Sequence, residues 1–121
     1  MTVTISDKEK RKKFFPLVSV VIPTRNRIEM LTRLIKSIYS SDYPNLEIIV
    51  VDDCSSDGTA DIIRTSFPEI RVIRNHIRRF LAASRNKGIQ NSKGKFIFFV
   101  DDDNVVKPNT ISELVRYIEL N

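Results

Sequence analysis

The stretch Phe96-Ile97-Phe98-Phe99-Val100-Asp101-Asp102-Asp103-Asn104 constrains this chain more than any other. Five apolar residues run straight into three carboxylates and an amide. The run is too short for a comfortable helix, lies between Gly94 and Asp101, and is apolar at every position. Such a segment reads as a strand buried on both faces, as in a parallel sheet covered by helices. A buried strand that ends in three acids is costly unless something compensates the charge. Two arrangements would do so: Asp101 capping a turn with the other acids in water, or a site for a metal or polar ligand. Three acids in succession, in a chain of net charge +5, favour the second.

The same pattern of apolar run, polar cluster and amphipathic segment recurs along the chain. Val18-Ser19-Val20-Val21-Ile22 is a first strand and is followed by Pro23-Thr24-Arg25-Asn26. Asn26 with Glu29 three residues on predicts a capping box. The helix behind it places Ile28, Leu31, Leu34, Ile35 and Ile38 on one face. Leu46–Val51 is a second strand ending in Asp52-Asp53, and the Ser/Asp/Gly-rich segment 54–59 leads into a short helix stopped by Pro68. Ile70-Arg71-Val72-Ile73 alternates as an edge strand does. A helix is expected from about Leu81 to Gln90, with Ala82, Ala83 and Ile89 as its small apolar side. After the acidic cluster, Pro108 marks the start of a last helix with the stripe Ile111, Leu114, Val115 and Ile118.

Four strands alternating with helices predict an α/β fold: an open, mainly parallel, Rossmann-like sheet with right-handed crossovers and helices on both faces. Ligands of such sheets bind at the carboxyl ends of the strands, where strand order reverses. In the order 3-2-1-4 the first and last strands are neighbours there. The clusters at 23–26, 52–53 and 101–104 then line one cleft.

Length and composition set further bounds. At 121 residues the chain is one domain, with a basic tail over 1–16 and the folded unit over 17–121. The pI near 9.6 suggests acidic partners. The cluster Lys8, Lys10, Arg11, Lys12 and Lys13 suggests peripheral contact with an anionic membrane surface. The single cysteine, Cys54, and the lack of a secretory leader or apolar span lead to the expectation of a cytoplasmic protein, at the cytoplasmic face of the membrane if that tail binds lipid. A nucleic-acid binder is not expected: basic residues are dispersed among acids and no recognition motif is present. Cys54 has no adjacent histidine to activate it, His76 lying in a separate loop, so it reads as a small loop residue.

The chemistry of the cleft follows from its donors. Carboxylates held close together repel one another unless a cation joins them. Mg²⁺ and Mn²⁺ take oxygen ligands, typically one or two carboxylates completed by phosphate oxygens and water. Arg78, Arg79, Arg85 and Lys87 lie where they would face the same phosphates. No glycine-rich phosphate loop is present among the three glycines, so nucleotide binding would rest on side chains and metal.

Four stretches together resemble the N-terminal, nucleotide-sugar-binding half of the family 2 glycosyltransferases, which have the GT-A fold. They are Val-Ser-Val-Val-Ile-Pro-Thr-Arg-Asn-Arg at 18–27, Ile-Val-Val-Asp-Asp-Cys-Ser-Ser-Asp-Gly-Thr at 49–59, Ser-Arg-Asn-Lys-Gly-Ile at 84–89, and the closing Phe-Val-Asp-Asp-Asp-Asn. The resemblance implies a metal-dependent enzyme that moves a sugar from UDP or GDP to an acceptor hydroxyl. It implies that Pro23 and Arg25 lie along the base, that Thr24 and Asn26 shape the turn, and that Asp53 accepts a hydrogen bond from the base while Asp52 orients the loop. Asp101-x-Asp103 would be the DxD motif, with Asp103 on Mg²⁺ or Mn²⁺ and Asp101 or Asp102 toward the ribose or metal-bound waters. Arg85 and Asn86 match the pair beside the nucleotide.

Two departures stand out. Arg79-Phe80-Leu81-Ala82 replaces a loop that often holds glycine, and Arg25 stands where an aromatic residue commonly stacks on the base. The family's acceptor-side half, with its general base, would follow Asn121, and no residue here matches that base. A downstream acceptor-side chain or a homo-oligomer is therefore an expected partner. The alternative is a donor-binding module or inactive remnant.

Overall fold

The computed structural model describes residues 15–120, so the basic run Lys8–Lys13 and its expected membrane contact lie outside the described residues. Four strands form one parallel sheet: β1 (Val18–Thr24), β2 (Leu46–Asp53), β3 (Arg71–Asn75) and β4 (Phe96–Phe99). Their order is β3-β2-β1-β4, so the reversal expected between the first and last strands is present. The connecting helices are α1 (Ile28–Tyr39), α2 (Thr59–Ser66) and α3 (Phe80–Gln90), and α4 (Thr110–Leu120) follows β4.

The sheet divides the core by residue parity. Val18, Val20, Ile22, Ile48 and Val50 point to one face and pack with Leu31, Leu34, Ile35 and Ile38 of α1, Ile63 of α2, and Ile111 and Val115 of α4. On the opposite face α3 crosses β1 and β2, burying Ser84 and Gly88. The predicted apolar side of α3 is therefore wrong: Ala82, Ala83 and Ile89 are exposed. The physical reason is separation. Gly88 lies so close to β1 that an added Cβ would penetrate Val21 Cγ1, and only small side chains fit between helix and sheet.

Three further expectations change. β4 is not buried on both faces: Phe96 and Phe98 pack on the core while Ile97 and Phe99 are 37% and 40% exposed, because α3 lies over β1 and β2. The capping box is absent: Arg27 is the N-cap of α1, it makes no side-chain cap, and Asn26 adopts the left-handed region at φ 53. The stripe of α4 is half used, with Leu114 and Ile118 exposed. β1 and β2 also run two residues further than expected, carrying Thr24, Asp52 and Asp53 into the sheet. No described helix is long and apolar enough to cross a membrane.

Candidate functional site

The carboxyl ends of β1, β2 and β4, with the start of α3, enclose a cleft of ≈ 440 Å³. Pro23, Thr24 and Arg25 form one wall, Asp53 and Ser84 the floor, Asp102 one end, and Arg78, Phe80 and Leu81 the rim. Parallel pairing dictates this convergence: Thr24 is in register with Asp52, and Asp53 with Asn75.

Asp53 is the most heavily bonded group in the cleft. Its Oδ1 accepts from the Arg79 amide at 2.7 Å and Asn75 Nδ2 at 3.0 Å, and its Oδ2 accepts from the Phe80 amide at 2.9 Å. The Arg78 guanidinium lies 3.9 Å away. Burial pushes this carboxyl upward, but the two amides, Asn75 and the Arg78 charge outweigh it and hold it below its ordinary value. Since Arg79 and Phe80 open α3, Asp53 caps that helix from a neighbouring strand. Asn75 extends the network, donating to Ser84 Oγ at 3.1 Å and accepting from Lys87 Nζ at 3.2 Å.

The three acids after β4 divide sharply. Asp102 is buried, accepting from Thr24 Oγ1 at 2.9 Å and from Arg27 at 3.2 Å. Asp101 and Asp103 flank it with side chains 59% and 53% exposed. Arg85 approaches Asp101 at 3.6 Å, and Arg27 approaches Asp103 at 3.9 Å. Arg85 and Asp101 belong to a second, open hollow of ≈ 550 Å³ with Phe99, Asn104 and Lys107, on the β4 side of the acidic turn.

Of the residues expected at the site, Pro23, Thr24, Arg25, Asp53 and Asp102 line the cleft together. Asn26 and Asp52 do not. Asn26 accepts from the Ser56 amide at 2.7 Å, tying the β1 and β2 loops together. Asp52 is fully buried, with Oδ1 accepting from the Ser55 amide at 3.1 Å and Oδ2 left without a partner. Asn86 is exposed on α3, outside both hollows, and Asp103 stands beside Arg27. The sequence reading does not place Arg27, Phe80, Leu81, Ser84 or Asn75 at the site, whereas Arg78, expected to face phosphates, lines the cleft. Nothing in the local sequence marks Asn75 and Ser84; the packing of the folded chain buries them.

Among the described residues no group of three His, Cys, Asp or Glu side chains gathers to hold a metal. The donor chemistry nevertheless fits a hard divalent cation: Asp101 and Asp103 offer exposed carboxylate oxygens, and such ions need only one or two from protein when phosphate and water supply the rest.

Comparison with known proteins decides the family. The model of glycosyl transferase family 2 matches residues 19–121. The chain belongs to that family. This glycosyl transferase chain is 34% identical over 106 residues to the glycosyltransferase GlyG of Streptococcus pneumoniae, covering 85% of this chain and 35% of GlyG. It is 34% identical over 109 residues to the GalNAc(5)-diNAcBac-PP-undecaprenol beta-1,3-glucosyltransferase of Campylobacter jejuni, covering 84% and 34% respectively. It therefore spans about a third of the length of these relatives. Among solved structures, S. aureus TarS 1-349 in complex with UDP-GlcNAc superposes with a TM-score of 0.78 at 29% identity, over 85% of this chain and 31% of that one. The mannosyltransferase PcManGT of Pyrobaculum calidifontis, in complex with GDP-Man and Mn²⁺, gives 0.79 at 27% identity, over 87% and 33%. The sheet, its order and the helices on both faces are those of the GT-A fold.

Proposed function

We propose that the cleft binds a nucleoside-diphosphate sugar and that the protein transfers its sugar to an acceptor hydroxyl. The observation that carries this reading is the junction of β1 and β4: a buried Asp102 held by Thr24 and Arg27 between two exposed carboxylates, at the end of a cleft floored by Asp53. TarS and PcManGT, solved in complex with UDP-GlcNAc and GDP-Man, support the same class of donor.

In this reading Pro23, Thr24, Arg25 and Asp53 receive the base. Asp53 already accepts three N–H groups, and a carboxylate has roughly four lone-pair sites, so one acceptor site remains for a base N–H. Asp102, with both oxygens engaged, sets the position of the acidic turn. Asp101 and Asp103 would hold Mg²⁺ or Mn²⁺, which would offset negative charge on the departing diphosphate. Arg27, Arg78 and Arg85 add fixed positive charge beside the phosphates. Asn86 and Asn26 take supporting roles, the latter by holding the two loops together. The general base that deprotonates the acceptor is not assigned to any residue.

The test is titration of the purified chain with UDP and GDP, with and without Mn²⁺. Binding that Mn²⁺ strengthens, and that Asp103→Ala makes insensitive to Mn²⁺, is the expected result. No binding of either nucleotide under any condition would overturn the proposal. A donor-binding module without turnover is the second reading. Hydrolysis or transfer from a UDP- or GDP-sugar by these 121 residues would exclude it.

A further inference from the structure

Phe80 combines three features that folding alone does not account for. Its backbone lies in the left-handed region at φ 70, a conformation a bulky residue adopts at a cost and glycine adopts freely. Its ring is 60% exposed and so contributes little to the core. The ring nevertheless has a partner: the Arg78 guanidinium lies 4.3 Å from its centroid, within cation–π range. Asp53 fixes the base of the residue by accepting the Phe80 amide at 2.9 Å. Strained, solvent-facing residues held in place by their surroundings concentrate at ligand sites.

The position is what gives these features meaning. Phe80 lines the cleft with Pro23, Arg25 and Asp53. The β1 wall offers a proline ring and a guanidinium there but no aromatic face. Arg78 lies over the Phe80 ring and lines the same cleft, and the ring is 60% exposed. A flat heteroaromatic ring whose edge is held by Asp53 would lie within reach of it.

We propose that Phe80, backed by Arg78, is the stacking shelf for the nucleobase and a specificity-determining residue of this chain. The inference rests on the nucleotide-sugar reading. Phe80 gives affinity through the base and nothing through the diphosphate. It tolerates different bases, because every base has a π-face, and it discriminates against ligands that have none.

The experiment compares UDP, GDP and inorganic pyrophosphate, each with Mn²⁺, on the wild-type chain, Phe80→Gly and Phe80→Tyr. Glycine adopts φ 70 without strain, so Phe80→Gly folds with an unchanged or raised melting temperature. It binds UDP and GDP about tenfold more weakly and pyrophosphate as the wild type does. Phe80→Tyr keeps nucleotide affinity within about twofold, because the ring remains. Equal nucleotide affinity in Phe80→Gly and wild type overturns the shelf. So does an equal loss for nucleotide and pyrophosphate, which would show that Phe80 acts through the backbone of the loop. Failure of the wild type to bind any nucleotide strikes the functional reading instead, and is seen before any variant is made.

Discussion

Replacing Asp53 with asparagine tests whether this carboxylate holds the start of α3. Three N–H donors converge on its two oxygens, at 2.7, 2.9 and 3.0 Å. Asparagine keeps one acceptor oxygen and turns the other into an N–H₂ group, which must face one of those donors. In its best orientation it retains Arg79 and Asn75 and loses Phe80. A hydrogen bond to a charged group contributes about 1.5–3 kcal/mol, so the loss should be about 2 kcal/mol. The half-exposed Arg78 at 3.9 Å adds little, since contacts of that kind contribute about 0–1 kcal/mol. For a domain of this size the melting temperature should fall by roughly 6–10 °C at neutral pH.

The pH dependence gives a second handle on the same residue. The folded-state value of Asp53 is depressed, so its stabilisation is fully present above the unfolded value and is lost as pH falls through the folded value. Asparagine does not titrate. The gap between wild type and Asp53→Asn should therefore be constant from neutral pH down to about pH 5 and shrink below about pH 4. Thermal unfolding followed by circular dichroism from pH 7 to pH 3 measures both effects. A variant within about 1 °C of wild type at neutral pH would refute the capping role, as would a gap that stays constant on acidification.

Other residues give independent checks. Gly88→Ala should destabilise the chain by about 1–3 kcal/mol in urea unfolding, because the new methyl group meets Val21 where helix and sheet lie close together. Thr24→Val should free one oxygen of Asp102 and weaken UDP binding several-fold by calorimetry, with a stability loss of about 2 kcal/mol. Asn75→Leu should cost more, about 2–3 kcal/mol, because it strips partners from Asp53, Ser84 and Lys87 at once, and urea unfolding again reads it. Asp103→Ala should leave stability unchanged while removing the Mn²⁺ effect on nucleotide binding, since its side chain is half exposed and meets Arg27 only at 3.9 Å.

Strand and helix order was legible because the periodicities of two and near 3.6 survive along the chain, and parallel pairing follows from their alternation. The switch point and its polar clusters were legible for the same reason. What misled was the exposure of particular faces, while the apolar face of α1 is buried as its spacing predicts. The run Phe96–Phe99 reads as a strand covered on both faces, yet only Phe96 and Phe98 are covered, because the helix on the other face packs over β1 and β2. Ala82, Ala83 and Ile89 looked like the packing side of α3, but burial there is decided by how closely helix and sheet approach. The Asn26–Glu29 spacing fits a capping box, but the β2 loop claims Asn26 instead.

The acidic run shows the same division. Composition and order alone determined that three carboxylates end a strand next to the first strand's Pro-Thr-Arg-Asn turn, in a basic α/β chain. Only the tertiary structure decided that the middle acid is the buried one. Asp102 reaches Thr24 and Arg27 because β1 and β4 pair in parallel, bringing residues 78 positions apart within 2.9 Å. Asp101 and Asp103 are left to solvent on either side. Three neighbouring aspartates are chemically identical in a sequence; they become different groups when a folded backbone gives one of them two donors and leaves the others to water.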